Sequence, residues 1–112
     1  MSWPVLVPER FCRTPIELHI CGEGLDEDGA PEEVFSAALT CNWQDGGGVE
    51  LTAEQKYVRV SGRAFFSGNI CPDLPVITAG YGVIFGEKRR IARGVKARNP
   101  DGTVNFTEVR FQ

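Results

Sequence analysis

The sequence predicts an all-β chain: a small antiparallel β-barrel, or a sandwich, of about five to six strands with long loops. Three observations predict it. Apolar and polar residues alternate through several short segments, turn-forming Gly, Pro, Asn and Asp recur between those segments, and no segment reads as a convincing helix. Closure into a barrel is favoured over an open sandwich because it removes the edges of a short sheet. At 112 residues the chain makes one domain, residues 1–112, with a modest core.

Residues 1–13 read as an N-terminal arm ahead of the barrel. Met1 to Ile20 carries Glu9, Arg10, Arg13 and three prolines, with no positive segment leading into an apolar one, so no signal peptide is expected. Thr14 to Cys21 alternates, with Ile16, Leu18 and Ile20 on one face and Glu17, His19 and Cys21 on the other, as a half-buried strand does. Gly22 to Pro31 is a polar connection, and Glu32 to Trp43 returns as the second strand of a long-looped hairpin. Asp26-Glu27-Asp28-Gly29 has a passing likeness to a calcium loop, but the later ligand positions and the closing Glu are not in place.

Gln44 to Gln55, with three successive glycines at 46–48, reads as a mobile loop, in which Thr52 and Gln55 have the spacing of a capping box for one helical turn. No Lys-Ser or Lys-Thr follows the glycines, so they do not form a phosphate cradle. Lys56 to Phe66 alternates again, with Gly62 placed where a bulge or bend is plausible. Ser67 to Ala79 holds Gly68, Pro72 and Pro75 and is expected as a second mobile loop, since proline removes the ladder donor. Gly80 to Gly86 is a short strand, and Glu87-Lys88 turns it into a strand from Arg89 to Ala97. Pro100-Asp101-Gly102 then turns the chain into a closing strand. On it Val104, Phe106 and Glu108 face one side and Asn105, Thr107, Val109 and Phe111 the other, so both faces are expected to be covered.

Hydrophobic residues at 42% and charged residues at 24% exclude wholesale disorder. The longest nearly uncharged stretch, Ala64 to Gly86, is broken by glycines and prolines and is no membrane helix. Cys12, Cys21, Cys41 and Cys71 contain no C-x-x-C pair and read as free, half-buried thiols in a reducing compartment, with no metal. The single His19 reads as an exposed strand residue, neither ligand nor base. With one His and the carboxylates gathered in loops, no catalytic constellation is expected.

Charge is distributed unevenly. Residues 1–54 hold eleven acidic and two basic side chains, a formal −9, and residues 55–112 hold four and ten, a formal +6, giving the net −3. Six cations, Lys88, Arg89, Arg90, Arg93, Lys96 and Arg98, crowd one predicted strand. Strict alternation groups Arg90, Lys96 and Arg98 on one face and Arg89 and Arg93 on the other. Three readings stay open: solvated charges that neutralise across the fold, an interface between identical subunits that sets the basic strand against the acidic loop containing Asp26, Glu27 and Asp28, or non-specific contact of the basic strand with DNA.

Three segments carry a resemblance: Gly68-Asn69-Ile70-Cys71-Pro72-Asp73, Gly82-Val83-Ile84-Phe85-Gly86, and Lys96-Ala97-Arg98-Asn99-Pro100-Asp101-Gly102-Thr103-Val104-Asn105-Phe106-Thr107. Through them the chain from Lys56 to Gln112 resembles the small head-tail connector, or head completion, proteins of tailed phages and prophages. The resemblance implies a non-enzymatic β-barrel subunit that forms a homo-oligomeric ring between portal and tail proteins. It implies no cofactor and no membrane, and a location in the bacterial cytoplasm during assembly and then at the virion head-tail junction. Another minor capsid or tail component, or a small-barrel nucleic-acid-binding module, is the alternative.

Overall fold

The structure, a computed structural model, describes residues 4–25, 27–29, 31–51, 55–74, 77 and 79–112. Six strands form among the described residues: β1 (Thr14–Leu25), β2 (Pro31–Leu51), β3 (Tyr57–Ser67), β4 (Ala79–Ile84), β5 (Glu87–Arg98) and β6 (Val104–Phe111). They close into an antiparallel barrel in the order β1-β2-β3-β6-β5-β4. Because every neighbour is antiparallel, the connections alternate between the two barrel ends. The β1–β2, β3–β4 and β5–β6 connections share one end; β2–β3 and β4–β5 share the other.

β1 follows its alternation: Ile16, Leu18 and Ile20 are buried in the barrel while Glu17 and His19 face outward. Phe66, Phe111, Ile84, Ile91, Val109, Ala64 and Cys41 complete the interior. β6 is covered on both faces, as expected: Thr107, Val109 and Phe111 point inward, and Glu108 on the outer wall is only 7% exposed. Among the described residues, none belongs to a helix long and apolar enough to cross a membrane.

β2 departs from the expectation. Its first half pairs with β1 up to Thr14↔Cys41 and its second half with β3 from Asn42↔Phe65 onward, so the strand runs straight through the glycines assigned to a mobile loop. An extra residue is absorbed between Asp45↔Gly62 and Gly48↔Val60, where Gly46 and Gly48 take φ of 81° and 82°. The glycines thus build a bulge, and β3 supplies the hydrogen bonds that the segment lacks alone. Thr52 to Glu54, most of the expected helical turn, lie outside the described residues. Gly62 is not the bulge itself. It makes room for the Trp43 indole, which lies across it on the partner strand.

β3 and β4 sit opposite each other in the ring, so their connection must cross the barrel end. It does so as a plug. Cys71 and Ile77 join the core, with Ile70 and Leu74 packed beside them. Gly94 N donates to Ile77 O at 2.9 Å and Thr107 Oγ1 to Gly68 O at 2.8 Å, so this loop is fastened to β5 and β6.

The β4–β5 turn comes two residues earlier than the sequence suggests. Ile84 pairs with Glu87, leaving Phe85 and Gly86 as a two-residue turn with φ of 52° and 75°. Positive φ at both positions matches the right-handed twist of the flanking strands, and Glu87-Lys88 already belong to β5. The β5–β6 loop forms where expected. Gly102 has φ of 91°, its N–H donates to Asn99 O at 2.9 Å, and Asp101 Oδ1 accepts from Thr103 N at 2.9 Å.

Candidate subunit interface

The basic strand does not present six cations on simple alternation. β5 pairs Ile91 with Phe111 but Arg93 with Arg110, so one extra residue at Ala92 forms a bulge and reverses the alternation beyond it. Lys96 therefore lies on the inward side with Gly94, and Arg93 points outward.

Each cation then has its own environment. Lys88 is exposed and its Nζ stands 4.2 Å from the centroid of the Tyr81 ring, a cation–π contact. Arg89 turns into the barrel mouth, where Nη1 donates to Ser61 Oγ at 2.7 Å, Nη2 meets Glu87 Oε2 at 3.0 Å and the guanidinium lies 5.4 Å from the Trp43 ring. Arg90 is exposed. Arg93 meets Glu50 Oε1 at 3.3 Å while staying 57% exposed. Lys96 fastens the plug, its ammonium donating to Cys71 O at 2.8 Å and also to Leu74 O. Arg98 is exposed and donates to Gly102 O at 2.8 Å. Four of the six, Lys88, Arg90, Arg93 and Arg98, thus reach the outer surface; Arg89 and Lys96 serve the fold.

The acidic segment expected to face the basic strand is the β1–β2 hairpin. β1 extends to Leu25 and β2 begins at Pro31, so the polar connection is shorter than the sequence suggests. Glu27, Asp28, Glu32 and Glu33 are exposed; Asp26 lies outside the described residues. With the plug and Arg98, this hairpin marks one end of the barrel, and Lys88 lies toward the other. The molecule is elongated, 47 × 27 × 26 Å.

Sequence reading missed two clusters. In the first, Arg63, Arg110 and Arg93 stand in register across β3, β6 and β5. Like charges directly opposite repel, and carboxylates offset this. Glu50 meets both Arg110 and Arg93, while Glu108 meets Arg110 Nε at 2.7 Å. Glu108 and Glu50 hold Arg110 even more firmly protonated than usual, Glu108 contributing most.

In the second cluster His19, expected to be exposed, has only 12% of its side chain accessible. Its Nε2 lies 2.7 Å from Glu17 Oε1, its Nδ1 faces Glu33 Oε1, and Ser36 Oγ lies 3.2 Å from Nδ1. Ser, His and Glu side by side invite comparison with a hydrolytic triad. Glu33, however, sits at Nδ1, the same nitrogen that would have to take the proton of Ser36, and the two carboxylates raise the His19 pKa, Glu33 most and Glu17 next. Among the described residues, no group of three or more His, Cys, Asp or Glu converges to hold a metal ion.

Cys12, Cys41 and Cys71 are buried, Cys21 is partly buried, and all four are free. Burial pushes the Cys41 thiol up to about 12. A groove of about 400 Å³ over the outer wall is lined by Pro15, Glu17, Ala38, Val83 and Phe85, whose ring is 69% exposed. No family model matches the sequence, and neither curated proteins nor solved structures give a match.

Proposed function

We propose that this chain is a non-enzymatic structural subunit of a tailed-phage or prophage particle, a head-tail connector or head completion protein that assembles as a ring between portal and tail. One observation supports the reading most. Lys88, Arg90, Arg93 and Arg98 mark one wall of a closed barrel, while an acidic hairpin, formed by different strands, stands at its end. A contact between two such dissimilar patches is heterologous, and heterologous contacts propagate around a ring when the rotation closes. Exposed ion pairs contribute only about 0–1 kcal/mol each, so the contact needs several acting together at every repeat.

The test reverses the outward cations only. Lys88→Glu with Arg90→Glu and Arg93→Glu should abolish self-association with the fold intact, and adding Glu27→Lys and Asp28→Lys should partly restore it. Sedimentation velocity on parent, each set and the combination decides. If the reversed variant assembles as well as the parent at low salt, the polar interface is wrong. If the parent stays monomeric and shifts single-stranded DNA in a salt-dependent way, the nucleic-acid-binding alternative replaces it.

A further inference from the structure

We propose that His19 is a pH-operated latch that fastens the acidic β1–β2 hairpin to the barrel wall. The latch is built from four strands. β1 turns Glu17 and His19 to the outside, and on β2 the register partner of His19 is Ser36. Glu33 reaches the same place because the register shifts between Ile20↔Phe35 and Cys21↔Glu33, leaving Val34 as an extra residue. Without that bulge Val34 would stand opposite Cys21; with it, Glu33 is re-aimed toward the imidazole. On the other side His19 pairs with Tyr81 of β4, whose ring stacks on the imidazole at 4.5 Å between centroids and 15° between planes. Lys88 of β5 closes the stack over Tyr81, and Arg90 is the register partner of Tyr81.

This surrounding fixes the protonation chemistry. Stacking on Tyr81 holds the plane of the imidazole, so each nitrogen keeps its own carboxylate: Glu17 at Nε2 and Glu33 at Nδ1. Two carboxylate acceptors need two N–H donors, which only the imidazolium has. A neutral ring turns a lone pair toward one of the two carboxylates and repels it. Glu17 lies on the same strand and would lose only a local contact. Glu33 lies on the returning strand, and whichever nitrogen keeps its proton, its contact loses the charge of the imidazolium, which weakens the tie across the hairpin. Lys88 and Arg90, beyond Tyr81, oppose protonation from a greater distance. The neighbouring Cys21 thiol is also held above its ordinary value, by burial first and by Glu33 next.

The sign follows from the raised pKa. A histidine whose folded pKa exceeds its unfolded value of about 6.5 contributes its full stabilisation below that value, and the contribution disappears as pH rises through the folded pKa. The tie is therefore strongest in mildly acidic solution and weakens as pH rises through the His19 midpoint.

His19 is the only histidine in the chain, so its ring proton is unambiguous in an NMR titration of the full-length protein. The midpoint should lie above the ordinary value of about 6.5, fall markedly in Glu33→Gln and fall less in Glu17→Gln. Amide exchange at Gly22 and Glu32, corrected for the intrinsic pH dependence, should lose protection as pH rises through the His19 midpoint. The loss should be about tenfold for each unit by which the midpoint is raised. His19→Gln should remove that pH dependence. A wild-type midpoint at or below the ordinary value overturns the proposal. So does a hairpin whose protection changes with pH equally in wild type and His19→Gln.

Discussion

Replacing Gly62 with Ala should destabilise the barrel through one contact. A Cβ at this position would lie 2.1 Å from Cζ2, 2.6 Å from Cη2 and 2.8 Å from Cε2 of Trp43. Carbon atoms rest at about 3.5–4.0 Å, so the indole must retreat by more than about 1 Å. It has little room. Phe111 lies at 5.8 Å between centroids, Phe85 at 6.5 Å and the Arg89 guanidinium at 5.4 Å, and Nε1 donates to Asp45 Oδ1 at 2.8 Å. Overpacking of this kind costs about 1–3 kcal/mol. Restricting the unfolded chain returns about 0.4–1 kcal/mol, which leaves a net loss of about 1–2 kcal/mol. For 112 residues that is a fall in Tm of about 4–8 °C. In a Trp43→Leu background the obstruction is gone, so the same Gly62→Ala change should become stabilising by about 0.4–1 kcal/mol. Urea unfolding of the four proteins, followed by circular dichroism, measures the reversal as a coupling of about 1–3 kcal/mol. An equal effect of Gly62→Ala in both backgrounds would refute the packing argument.

Other substitutions probe the turn, the plug and the core thiol. Phe85 has φ of 52° and an exposed ring, so Phe85→Asn should raise stability by about 1 kcal/mol, since left-handed backbone costs most side chains about 1–2 kcal/mol; a lower Tm would contradict the turn assignment. Lys96→Met should cost about 1–3 kcal/mol and speed amide exchange at Leu74, whose N–H donates to Cys71 O, because the carbonyls of both residues lose their cation. Unchanged stability and exchange would show that the plug does not depend on Lys96. With its thiol pushed up to about 12, Cys41 should resist alkylation at about pH 8 in the native protein while the more accessible Cys21 reacts. Equal rates at the two sites would show that the core opens readily.

Elements specified by their own residues were legible. In β1 one face is buried and the other solvated, so Ile16, Leu18 and Ile20 declare themselves by alternation. The 99–103 loop carries its own turn chemistry in Pro100, Asp101 and Gly102. What remained hidden depends on partners distant in sequence. Gly46 to Gly48 read as loop because the β3 ladder that holds them is invisible locally. Phe85 read as strand because an aromatic residue at positive φ is uncommon, and only Gly86 hints at the turn. The face of each cation on β5 depends on a single extra residue at Ala92, which no alternation rule reveals. The Val34 bulge likewise brings Glu33 to His19. The outward cations and the acidic hairpin were therefore legible as composition, while the division of the cations into outward-facing and fold-anchoring residues was not.

Native mass measurement and sedimentation of the unmodified chain across ionic strength test whether identical barrels assemble through opposite charges. Screening shortens the reach of exposed charges from about 30 Å at 0.01 M salt to about 3 Å at 1 M. Assembly through opposite charges should give one discrete closed oligomer at low salt that dissociates to monomer as salt rises. A monomer at every salt and protein concentration, or an oligomer indifferent to salt, would contradict it.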